Sequence, residues 1–205
     1  MERTITVSGT VVIAAEPDEA SVSTGVLTEG ESARDALSKN SAAMRKIIEG
    51  LKGAGIEPKD IQTVNFAIMP RFTNPKDGQA PRVVGYNVVN SVRIRVREIA
   101  RVGEVLDGVV TLGANQAGGI AFEVTKAEVL RDEARKQAIG NALRRAKLLA
   151  EAAGAKVGPV ITISEDAAMS PSPRPMAARM SAEAVPIEAG SKMLEVRVQV
   201  TWALE

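Results

Sequence analysis

Ile5, Val7, Val11 and Ile13 alternate with Thr4, Thr6, Ser8 and Thr10, with Gly9 standing in the apolar register. A period of two turns one row of side chains to a core and the other to solvent, so this stretch predicts a half-buried strand. Glu16-Pro17-Asp18-Glu19 interrupts the pattern as a turn, and Ala20, Val22, Thr24 and Val26 resume it. A hairpin of the first two strands is the simplest expectation. The period then changes. Ala33, Leu37, Met44, Ile47, Ile48 and Leu51 recur at helical spacing, opened by Ser32 with Asp35 three residues on and closed by Gly53 and Gly55. This is an amphipathic helix facing a core.

Ile61 to Phe72 reads as a strand, 74–78 as a loop, and Val83 to Arg97 as a long strand ending in Val92, Ile94 and Val96 against Arg93, Arg95 and Arg97. A second hairpin follows. Val102 to Leu112 predicts a shorter helix ended by Gly113, and Gly118-Gly119 leads into a short strand around Ile120 to Val124. Thr125 and Glu128 have the spacing of a capping box for the longest helix, Ala127 to Ala153. Ala134, Ala138, Ala142 and Ala146 give that helix one small-residue stripe able to approach a sheet closely. Val157 to Ser164 is a further strand, and Leu194, Val196, Val198, Val200 and Trp202 mark the last.

Between them, 166–190 has a different composition. Pro171, Pro173, Pro175 and Pro186 are interleaved with Ser, Ala and Met169, Met176 and Met180, which defeats helix and ladder alike. It reads as a long loop or arm returning the chain to the sheet. The resulting fold class is α+β, a mixed, mainly antiparallel sheet built from hairpins and packed by three helices.

Composition narrows the chemistry. The 205 residues carry 26 basic and 25 acidic side chains, so no global field draws in nucleic acid or an anionic membrane. Phe66, Phe72, Phe122, Tyr86 and Trp202 are too scattered for a base-stacking platform, and no nucleic-acid partner is expected. Zero cysteine and zero histidine remove triads, thiol nucleophiles and the usual zinc sites. No transmembrane segment is expected, and Met1-Glu2-Arg3 runs into the first strand without a leader, leaving cytosol or a processed envelope form.

The remaining candidates each have a plainer reading. Asp18 and Glu19 sit in a turn, where acids are common. Gly113 to Gly119 precedes a strand rather than opening a helix after one, the wrong context for a phosphate loop. The Arg93, Arg95, Arg97 row and Arg144-Arg145-Lys147 read as solvated faces, the first guarding a strand against unwanted pairing. Tyr86 and Trp202 read as core. Met169, Met176 and Met180 are the soft-metal candidates, because thioethers suit Cu(I), against an alternative role in flexible packing. No catalytic residue and no cofactor are assigned.

The ordered set of Ile5-Thr6-Val7-Ser8-Gly9, Pro17-Asp18-Glu19-Ala20, Asp60-Ile61-Gln62-Thr63, Gly85-Tyr86, Gly113-Ala114-Asn115 and Glu133-Ala134-Arg135 resembles the SIMPL-domain, or YggE-like, family across essentially the whole chain. The resemblance implies a single domain over 1–205, an extracytoplasmic bacterial location with a signal peptide upstream, and no catalytic residues. It further implies self-association and a connection to envelope or oxidative stress. The function expected is therefore a non-enzymatic, homo-oligomeric envelope protein. The alternative is a monomeric or dimeric periplasmic binding module for a peptide, a small apolar ligand or copper.

Overall fold

A computed structural model describes residues 3–73, 80–166 and 187–205. The chain is α+β and divides into two compact units, each with its own antiparallel sheet and its own core. The first unit holds β1 (Thr4–Ala15), α3 (Ala127–Ala152), β6 (Val157–Glu165) and β7 (Lys192–Leu204). The second holds β2 (Glu19–Gly30), α1 (Ala33–Gly53), β3 (Ile61–Phe72), β4 (Val83–Val96), α2 (Val102–Thr111) and β5 (Gln116–Glu123).

In the first unit the strand order is β1-β7-β6. β1 runs antiparallel to β7 in unbroken register from Thr4 opposite Ala203 to Ala15 opposite Lys192. The hairpin expected of β1 and β2 is not formed. β2 has β4 on one side and β5 on the other, so neither of its edges is free for β1. Alternation reports which face of a strand is buried but not which strand lies beside it.

α3 packs on this sheet through Ala134, Ala138, Ala142 and Ala146, all buried against Val196, Val198, Val200 and Trp202, and Ala150 continues the buried stripe. Bulk comes from the sheet and closeness from the helix. Gly9 completes the fit: a Cβ there would stand 3.0 Å from the Ala142 nitrogen and collide with the Ala138 carbonyl oxygen. The helix starts at Ala127, as expected, with Lys126 in the N-cap position, and the Glu128 carboxylate meets Arg131 and Arg135.

In the second unit the order is β3-β4-β2-β5. Ser32 caps α1 as expected, its hydroxyl accepting from the Asp35 amide at 3.1 Å. Met44, Ile47 and Leu51 of α1 and Val102, Val105 and Val109 of α2 meet Val22, Val26, Val92 and Ile94 of the sheet. Burial of this order, roughly 1.5–3 kcal/mol for each large aliphatic side chain, supplies the main stabilising term.

One polar group lies inside that apolar layer. Asn40 of α1 is fully buried, and its amide donates to the carbonyls of Val26 at 2.9 Å and Val88 at 3.1 Å. It ties the helix to two adjacent strands at once. β5 begins at Gln116, ahead of the strand expected around Ile120. Glycine is what extends it: a Cβ on Gly118 would stand 2.7 Å from the Ser23 Cβ, beside the irregular register between Val22 and Thr24.

Residues 167–186 of the proposed arm lie outside the described residues. Among the described residues, no helix is long and apolar enough to cross a membrane.

Candidate interaction surfaces

The charged candidates resolve into local pairs. Glu19 is nearly buried, and its carboxylate meets the Arg95 guanidinium at 3.0 Å. Asp60, also buried, meets Arg97 at 3.0 Å, with Glu57 of the same group 3.9 Å from Arg97. Asp60 raises the pKa of Arg97 through this hydrogen bond and its charge. The arginine row does not guard an edge, because β4 is paired on both sides. Arg95 fastens an acid of β2 to β4, and Arg97, at the end of β4, fastens acids from the turn before β3.

A second cluster, in the first unit, was not foreseen. The Arg135 guanidinium is surrounded by Glu128 at 2.7 Å, Asp132 at 2.6 Å and Glu165 at 3.0 Å. Hydrogen bonds from Arg135 first and Arg131 second hold the Glu128 carboxyl below its usual range. Glu128, Asp132 and Arg135 have helical spacing and were legible as a pair set. Glu165, 30 residues on, was not.

The glycine-rich segment serves backbone geometry. Gly113 takes a positive φ of 106°, and Asn115 then presents its side-chain amide to β2. The Leu27 amide donates to Asn115 Oδ1 at 2.7 Å, and Asn115 Nδ2 donates to the Leu27 carbonyl at 2.9 Å. A side chain thereby copies a strand's own hydrogen-bond exchange, one residue before β5 starts. Trp202 is core as expected, while Tyr86 is half-buried. Met169, Met176 and Met180 lie outside the described residues. Among the described residues, no group of three His, Cys, Asp or Glu is placed to hold a metal ion.

Arg144 and Lys147, with Leu143 and Leu148, border an open groove of about 440 Å³ along α3. Its described lining comes from one helix, too shallow to enclose a small molecule as binding pockets do.

The most distinctive surface is at the sheet edges. Among the described residues, β3 is an edge strand, and its twelve residues are exposed except for half-buried Ile61 and Ala67. Phe66 is 53% exposed, Phe72 56% and Met69 46%, with Val64 and Ile68 close behind. Val83 and Val84 of β4 extend the patch. β6, an edge of the other sheet, leaves Val160, Ile161 and Ile163 about half exposed. Hairpin edges were expected to engage neighbouring copies, but not which strands would supply them; Phe66-Ala67-Ile68-Met69 is a run of four consecutive apolar residues that marks β3.

Residues 5–202 match the family model SIMPL, described as a protein of unknown function (DUF541). The chain belongs to the SIMPL family. Among SIMPL relatives, the 26 kDa periplasmic immunogenic protein of Brucella melitensis biotype 1 is 38% identical, over 98% of this chain and 84% of its own length. The uncharacterized protein YggE of Escherichia coli K12 is 29% identical over 95% of this chain and 78% of its own length. YggE of Edwardsiella ictaluri is 33% identical over 78% and 66%.

Proposed function

We propose that this SIMPL chain is a non-enzymatic bacterial envelope protein that works by assembling with copies of itself into a homo-oligomeric scaffold or channel-like particle. The observation that carries this reading is the apolar free edge of β3, bare on both faces. Monomeric proteins rarely leave such edges unguarded, since an unpaired, apolar strand recruits another chain. β6 offers a second surface of the same kind. The periplasmic location in a relative's name supports placing this chain outside the cytoplasm.

Mass in solution, by light scattering after size exclusion across a wide concentration range, tests the reading. A large, discrete mass supports a closed assembly. A monomer at every concentration overturns it and favours the alternative, a binding module, for which the β3 edge would be the docking strand. A setting in oxidative or envelope stress belongs to the same reading. A deletion strain no more sensitive to peroxide or detergent than its parent would remove that setting.

A further inference from the structure

Resting on the self-assembly reading, we infer that β3 is a twofold interface: it pairs antiparallel with β3 of a second copy, centred on Ala67, joining two four-stranded sheets into one of eight.

The register follows from what bounds the free edge. Toward its start, β3 is irregular between Thr63 and Asn65, where Val64 is an extra residue against β4. Toward its end stands Pro70, which has no N–H to offer a ladder. The uninterrupted segment is 65–69, and its midpoint is Ala67. Antiparallel pairing about that midpoint sets Phe66 across from Ile68 of the second copy, and Ile68 across from its Phe66. Aromatic against β-branched is among the favourable cross-strand pairs. The smallest side chain of the segment lies on the axis, where two identical residues must meet.

Charge agrees with this arrangement. Arg71 is the one charged residue of β3, and it already pairs with Glu29. In this register it lies across from Thr63 of the second copy, so no like charges meet. A strand with one charge, placed off-centre and neutralised, suits pairing with itself.

Coverage also agrees. Ile68 and Phe66 stand opposite Val88 and Asn90, on the face that carries buried Val92 and Ile94, while Met69 points to the other face. The Phe66 and Ile68 face of the edge is apolar and exposed, while the other sets Ala67 and Met69 between Asn65 and Arg71. The half-exposed Val64, Phe66, Ile68 and Met69 lie along the paired segment and would be covered in part in both copies, beside the ladder hydrogen bonds that the two edges gain.

The chain has no cysteine, which makes the test clean. Residues on a twofold axis between antiparallel strands have Cα atoms about 4.5–5.5 Å apart, within the reach of a disulfide. Under mild oxidation Ala67→Cys is expected to give a covalent dimer in high yield, with Gln62→Cys and Ile161→Cys giving at least fivefold less. Phe66→Lys, at a half-exposed site, is expected to lower the mass in solution while leaving the circular dichroism spectrum and Tm within a few degrees of wild type.

An oligomeric wild type whose Ala67→Cys variant does not cross-link, or cross-links less than Ile161→Cys, overturns the β3 interface and leaves self-assembly standing. A wild type that is monomeric throughout removes both. A monomer that captures an extended apolar peptide, lost in Phe66→Lys, assigns the edge to a foreign strand and overturns the twofold pairing.

Discussion

Gly9 of β1 lies directly beneath Ala138 of α3, so close that a single added carbon at Gly9 would overlap the Ala138 carbonyl oxygen. The obstruction is backbone, which cannot rotate aside as a side chain can. Gly9→Ala is therefore expected to destabilise the protein by about 3 kcal/mol, at the upper end for overpacking. Urea unfolding measures it. Ala138→Gly should fail to rescue Gly9→Ala, since the Ala138 oxygen remains; recovery of stability in the double variant would contradict the contact.

Asn40 is the polar tie in the second core. Asn40→Leu keeps the volume roughly and removes both bonds to the Val26 and Val88 carbonyls, at an expected cost of about 2–3 kcal/mol. Asn40→Asp should be worse at neutral pH, because a carboxylate would face two carbonyl oxygens, and should recover in part on acidification as it gains a proton. Chemical denaturation at two pH values separates these outcomes.

Asn115 acts on Leu27 as donor and acceptor together. Asn115→Asp retains the acceptor and turns the donor into a second acceptor against the Leu27 carbonyl. It is expected to cost more than Asn115→Ala, which should cost about 1 kcal/mol. Hydrogen exchange at the Leu27 amide reads the same contact locally: protection should fall in Asn115→Ala and survive better in Asn115→Asp. Equal exchange in all three proteins would rule out the role given to Asn115.

Glu128 provides a pH signature. Its folded pKa is lowered by Arg135 and Arg131, so it stabilises the fold above the unfolded carboxylate value, about 4.3, and the contribution is lost as pH falls through the depressed folded value. The Tm difference between wild type and Glu128→Gln should be constant above about pH 5 and shrink as pH falls below the unfolded carboxylate value. A difference that stays the same down the whole acid limb would mean that packing, not charge, explains the variant. The residue is exposed, so the effect should be small and should weaken in salt.

The elements themselves were largely written in local pattern. Ile61–Phe72 matches the expected strand at both ends, and the alanine stripe of α3 faces a sheet as its spacing demanded. What local pattern could not carry was partnership. The short Pro17-Asp18 turn looked like a hairpin, yet β1 pairs with a strand near the other end of the chain, because β2 is occupied on both sides. The strand ahead of Ile120 was cut short for a related reason, since Gly118-Gly119 reads as punctuation until Ser23 is seen beside it. Of the candidate surface, the arginine row was visible but its purpose was not, and the bare β3 edge depends on sheet order, which no single strand encodes.

The Thr6 and Thr201 hydroxyls touch at 2.9 Å across 195 positions of sequence. A ribosome therefore delivers β1 first and its ladder partner last, whereas β2 to β5 leave as one continuous stretch that can close on itself meanwhile. Throughout synthesis an alternating strand waits without its neighbour. A nascent chain halted before Lys192 would carry four paired strands and two orphans, β1 and β6, the kind of product that quality-control proteases and holding chaperones recognise by its raw backbone.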